Sequence, residues 1–156
     1  QLPRPGQRVT EPRPTSKRSK GRKRALDILF EADLRGLDPA IVLADRIAAG
    51  EPPVRPFTVE LVEGVREHIL DLDAALAASL TGTWTLDRMP RVDRNLARIA
   101  LFELTHTDTP GEIVVSQAVD LARELSTAES PGYLNGVLGA ALRARAHAEP
   151  QTPPGQ

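Results

Sequence analysis

Apolar residues recur three and four positions apart along most of the chain, and prolines and glycines interrupt the pattern at intervals. Residues so spaced share one helix face, so the pattern predicts a succession of amphipathic helices. Over residues 22–34, Ala25, Leu26, Leu29, Phe30 and Ala32 form a broad apolar stripe that Gly36 can terminate. Asp38-Pro39 reads as a cap followed by proline in the first turn of a short helix through Leu43 and Ile47, ending at Gly50. Pro52, Pro53 and Pro56 make a linker, and one long helix is expected over residues 58–80, burying Leu61, Val62, Val65, Ile69, Leu72, Leu76 and Leu80. Gly82 and Trp84 mark a loop, and Leu86 to Met89 add a short turn before Pro90. Helices are then expected over residues 92–105, with Leu96, Ile99, Ala100, Phe102 and Leu104 as the apolar residues, and over residues 112–125, with Val114, Val115, Ala118, Leu121, Ala122 and Leu125 inward. Ser130 caps a last helix that starts at Pro131 and carries Leu134, Val137, Leu138 and Leu142. No stretch alternates with period two, and the β-like run Ile113-Val114-Val115 falls at a helix start. The expected class is all-α.

The two ends lack this pattern. Pro3, Pro5, Pro12 and Pro14 lie among polar residues, so residues 1–20 are expected to form a disordered basic arm, residues 21–147 the helical domain and residues 148–156 a loose tail. Aromatic residues are 3% of the chain, so the core must be aliphatic and alanine-rich. With no cysteine, disulfides and cysteine-based metal sites are excluded. No apolar run approaches the roughly 20 residues of a membrane span, and the proline-rich start has no apolar signal-peptide core.

The net charge of −1 conceals an asymmetry. Residues 1–24 hold nine Lys/Arg against one acid, whereas residues 25–156 hold eleven Arg against twenty acids. Lys17, Arg18, Lys20, Arg22, Lys23 and Arg24 place six cations in eight residues, directly before the first apolar stripe. Such a cluster suits phosphate contacts, and arginine can also stack on unpaired bases; the alternative is a solubilising tail. Catalytic chemistry is hard to assemble. Glu103 and His106 have the spacing of one half of a carboxylate-bridged dimetal site, but no second half follows. Ser116, Ser126 and Ser130 lie in no nucleophile elbow, and Gly132, Gly136 and Gly139 match no phosphate loop. No enzyme activity, cofactor or metal is expected.

The string from Val92 through Asp93, Arg94, Asn95 and Arg98 to Leu104 resembles the central signature of the NusB transcription antitermination family. So do Trp84 to Arg88 and the segment from Thr109-Pro110 to Ser130-Pro131-Gly132-Tyr133-Leu134-Asn135-Gly136-Val137-Leu138. The resemblance spans about residues 20–143 and implies about seven helices in two packed antiparallel bundles. It implies a non-enzymatic factor that binds single-stranded boxA RNA of ribosomal RNA operons with NusE, a small-subunit ribosomal protein. That complex would join RNA polymerase in the cytoplasm and suppress termination. Carried over position by position, it assigns RNA contacts to Arg18, Lys20, Arg22, Lys23 and Arg24 in the arm. It adds Glu129, Ser130, Tyr133 and Asn135 around the start of the last helix, and Asp87, Asp93 and Arg94 beside the central one. The family contains dimers and monomers, so the resemblance implies either a homodimer or a monomer. Lysine, serine and Gly21 within the arm, and Pro131-Gly132, depart from the family pattern. Two other readings compete: a helical protein-interaction module without specific RNA binding, and the NusB-like domain of a ribosomal RNA methyltransferase. The latter needs a C-terminal Rossmann-type domain with catalytic cysteines and is not expected here.

Overall fold

The computed structural model describes residues 16–80 and 85–148. Residues 1–15 of the expected arm, the Gly82–Trp84 loop and residues 149–156 of the expected tail lie outside them. The described residues form seven helices and no strand: α1 (Lys17–Arg35), α2 (Pro39–Ala49), α3 (Pro56–Glu67), α4 (Ile69–Ser79), α5 (Arg91–His106), α6 (Gly111–Leu125) and α7 (Ser130–Ala148). A single 3-10 turn, Leu86–Arg88, leads into α5. None of these helices is long and apolar enough to cross a membrane.

Local chemistry sets most of the ends. Gly36 and Gly50 adopt left-handed backbone, φ 65° and 68°, and their N–H groups return to carbonyls of the last turns of α1 and α2; that conformation is open to glycine at little cost. Asp38 accepts a hydrogen bond from the Ala40 N–H at 3.0 Å, with Pro39 at the first helical position, as the sequence indicates.

Three expectations change. The helix expected over residues 58–80 is two, because the backbone leaves helical geometry at His68 (φ −105°, ψ 16°), which ends α3 and precedes α4. The apolar spacing runs unbroken across that joint. The first helix begins at Lys17, inside the arm expected to be disordered to residue 20: the Ser16 hydroxyl caps it by accepting from the Ser19 N–H at 3.0 Å, and Ser19 in turn donates to Gln117 of α6. Ser130 is the first residue of α7 rather than its cap, because its hydroxyl is taken by Asp93.

α1, α2 and α3 pack on one another as a first bundle, and α4 to α7 form a second. α5 belongs to both, packing against α1 and α3 on one side and against α4, α6 and α7 on the other. Its sequence is suited to that place: Leu96, Ala97, Ile99, Ala100, Leu101, Phe102 and Leu104 are all buried, apolar nearly all round the helix. The crossing of α3 over α5 is close. A Cβ at Gly64 would stand 2.2 Å from Phe102 Cζ, so only glycine admits the ring there. Three polar residues of α5, Asp93, Asn95 and Glu103, are buried too, and each needs a partner to offset its desolvation.

Candidate nucleic-acid interface

The first turns of α1 divide their cations between the interior and the surface. Arg22 points inward: its Nε and Nη2 donate to Glu103 Oε2 and Oε1, both at 2.8 Å, and the two side chains are 5% and 1% exposed. A fork-to-fork pair of this kind satisfies both buried charges at once. Gly21 lets it form, since a Cβ there would meet Phe57 Cδ1 at 2.9 Å, and Thr58 Oγ1 donates to the Gly21 carbonyl at 3.0 Å. The glycine that interrupts the basic cluster is therefore where α3 touches α1. Arg22, expected at the RNA surface, is instead buried and paired within the fold. Arg18, one turn earlier, lies over the Phe57 ring at 4.6 Å and donates to Thr109 Oγ1 at 3.3 Å, on the side of α1 that faces the end of α5.

Lys20, Lys23 and Arg24 lie on the other side. They rim an open groove of about 470 Å³ whose apolar wall comes from Leu26, Phe30, Val92 and Leu125. Lys23 reaches Glu124 of α6 at 2.5 Å, with both side chains about half exposed, and such a surface pair is weak and easily exchanged for a phosphate. A second hollow is lined by Pro90, Asp93, Thr127, Glu129, Ser130 and Tyr133 among others. Val92 and Asp93 are consecutive on α5 and line one hollow each.

Asp93 organises the second hollow from beneath. It is 2% exposed; its Oδ1 accepts the Ser126 hydroxyl at 2.5 Å and its Oδ2 accepts the Ser130 hydroxyl at 2.8 Å. The Ser130 oxygen also accepts the Thr127 N–H at 3.3 Å. The carboxylate thereby fixes the α6–α7 turn against α5. Tyr133, partly buried beside it, has its hydroxyl pushed up from the usual phenol range by burial and then by the Asp93 charge, so the ring presents a neutral face. Asp93 and Ser130 are 2% and 1% exposed, at the base of the hollow, with their side chains bonded to one another.

Arg94 is likewise engaged: its Nη2 donates to Asp33 Oδ2 at 2.7 Å and its Nη1 to the Leu86 carbonyl at 3.2 Å. Burial would raise the Asp33 carboxyl, but hydrogen bonds from Arg94 and Asn95 outweigh it and hold the group below the ordinary carboxylate value. Arg98 joins the same network by donating from Nη1 to Asn95 Oδ1 at 3.3 Å, and pairs in addition with Asp73. Glu129, Asn135 and Asp87 are exposed, Asp87 on the 3-10 turn that precedes Pro90. The groove floor was not foreseen: Phe30, Val92 and Leu125 carry the same apolar signal as the core, and only the packing leaves Leu125 39% exposed. The His106 ring stacks on His68 at 3.9 Å and Glu103 is held by Arg22, so the Glu-x-x-His spacing serves packing. No group of three or more potential metal ligands comes together among the described residues.

The sequence profile of the NusB family matches residues 19–143. The transcription antitermination protein NusB of Acidothermus cellulolyticus is 49% identical over 140 residues, covering 89% of this chain and 96% of that protein. The protein of the same name from Cutibacterium acnes is 55% identical over 127 residues, and there the match spans only 49% of the relative's length. Among solved structures, the complex of the antitermination factors NusB and NusE with double-stranded RNA matches with a TM-score of 0.72 at 25% identity, over 81% of this chain and 96% of that one. The solution structure of NusB from Aquifex aeolicus gives 0.70 at 26% identity, over 88% and 95%. With a family profile covering most of the residues and relatives near half identity, the chain belongs to the NusB family of transcription antitermination proteins.

Proposed function

We propose that the chain binds single-stranded boxA RNA together with NusE, and that this complex acts on RNA polymerase in the cytoplasm to carry it through terminators. The observation that carries the reading is the groove rimmed by Lys20, Lys23 and Arg24, with the Tyr133 hollow reached from the next residue of α5, on a chain whose residues 25–156 are acidic. Phosphates would lie along the three cations, and an unpaired base would stack on Tyr133. Glu129, which lines the same hollow, and Asn135, exposed on α7, would accept from or donate to base edges. Arg22, Asp93, Arg94 and Ser130 support the surface from within. The related NusB structure in complex with NusE and double-stranded RNA supports RNA as the ligand and NusE as the partner; the single-stranded form rests on the cation groove and the Tyr133 hollow.

Fluorescence anisotropy of labelled boxA RNA against a scrambled sequence, with and without NusE and at two salt concentrations, tests this. Preference for boxA should sharpen with NusE. Three phosphate contacts at roughly 0.7 each predict a log–log salt slope near −2. Equal binding of both RNAs under every condition would leave an interaction module with a solvated arm.

A further inference from the structure

Lys20 and Arg24 each line two hollows, and the second has no place in the surface described so far. Across from them stand Pro52, Pro53 and Pro56 with Arg55, the linker between α2 and α3. The lining of this shelf holds three cations and no carboxylate, although acids outnumber cations by nearly two to one over residues 25–156. Arg55 is fixed without being neutralised, because its Nη1 donates to the Lys17 carbonyl at 2.9 Å, an uncharged partner at the very start of α1. The Arg24 Nε, on the ridge between the two hollows, is buried with no hydrogen-bond partner. The prolines bring saturated apolar rings and no N–H donors, so the wall offers an apolar surface on which a base can pack while the arginines and lysine offer charge. Negative groups at intervals with flat apolar groups between them are what a single-stranded polynucleotide presents.

We propose that the RNA path does not end at the arm but crosses the Lys20–Arg24 ridge onto the proline shelf, where Arg55 contacts a backbone phosphate. This rests on the RNA-binding reading above. It makes residues 52–56 part of the binding surface and lengthens the RNA that the chain can cover beyond the boxA element itself.

The test uses the full chain with NusE and three labelled RNAs: a minimal boxA sequence, and the same sequence extended by about four nucleotides at one end or the other, within the usual span of single-strand sites. Extension at one end should tighten binding by the parent about fivefold, the worth of one charge-assisted contact at a surface. Arg55→Ala should erase that gain, lower the salt slope for the extended RNA by about 0.7, and leave the minimal RNA unaffected. Arg55→Lys should keep the slope, since it keeps the charge, and provides a second variant should Arg55→Ala disturb the start of α1. If the minimal RNA binds but neither extension nor Arg55 matters, the shelf is refuted and the RNA-binding reading stands. If no boxA RNA binds at all, both fall together.

Discussion

Arg22 and Glu103 provide the sharpest test of how the basic cluster is divided. Both side chains are almost completely buried and joined by two hydrogen bonds of 2.8 Å. Removing either partner strands the other charge in the core, which typically costs about 3–5 kcal/mol. Two charge-assisted bonds at about 1.5–3 kcal/mol each lead to the same range. In a domain of this size each kcal/mol moves Tm by about 2–4 °C, so Arg22→Met should lower it by about 10 °C. Glu103→Leu should cost nearly as much, although it removes the opposite charge. The double variant Arg22→Met/Glu103→Leu should recover most of the loss, because an apolar pair of similar volume needs no desolvation. Urea denaturation followed by circular dichroism gives all three free energies, and the non-additivity of the cycle measures the pair. RNA binding by the double variant, assayed where it is folded, should match the parent. The reasoning is refuted if Arg22→Met leaves Tm in place and selectively weakens RNA binding, since that is the behaviour of a solvent-facing phosphate contact.

Further outcomes follow from other sites. Gly64→Ala should destabilise by about 1–3 kcal/mol through overpacking, against the usual gain for this change within a helix, and Phe102→Leu in the same chain should relieve it; a higher Tm for the single variant would mean that α3 and α5 are further apart than described. Asp93→Ala should weaken RNA binding without changing the salt slope, because it releases the turn that carries Glu129 and Tyr133 but removes no cation; a changed slope would count against a positioning role. Asp38 is held down to about 2 by the hydrogen bond from Arg66, with help from the Ala40 N–H. A carboxylate lowered on folding adds stability above its ordinary value of 3.8 and loses it as pH falls through about 2. Asp38→Asn keeps a cap but not the charge, so it should melt below the parent at neutral pH, with the gap closing across that window; a gap independent of pH would remove the ion pair from the account.

Helix ends with a local chemical cause were legible in the sequence: Gly36, Asp38-Pro39 and Gly50 set theirs without outside help. The break at His68 was not, because Val65, Ile69, Leu72 and Leu76 continue one stripe across it, and the turn is set by how α3 and α4 separately meet α5. The early start of α1 was hidden for a related reason. A run of cations reads as a solvated tail until Phe57, Thr109 and Gln117, far along the chain, supply partners. The same blindness affected the site. Charge alone does not distinguish Arg22, turned inward, from Lys20 and Lys23, turned outward, and a family signature marks Asp93 and Arg94 without saying whether they touch a ligand or brace the residues that do.

The position of α5 between the two bundles has a consequence for how the molecule opens. Its amides lie behind helices on every side, so no half of the protein can detach and expose them while the other half stays folded. In native-state hydrogen exchange, the α5 amides should therefore exchange only through global unfolding, at one common free energy. The amides of α2, which packs chiefly against α1 and α3, should escape sooner by local opening. The molecule would then behave as a single cooperative unit with a loosely held corner, although its helices are arranged as two bundles.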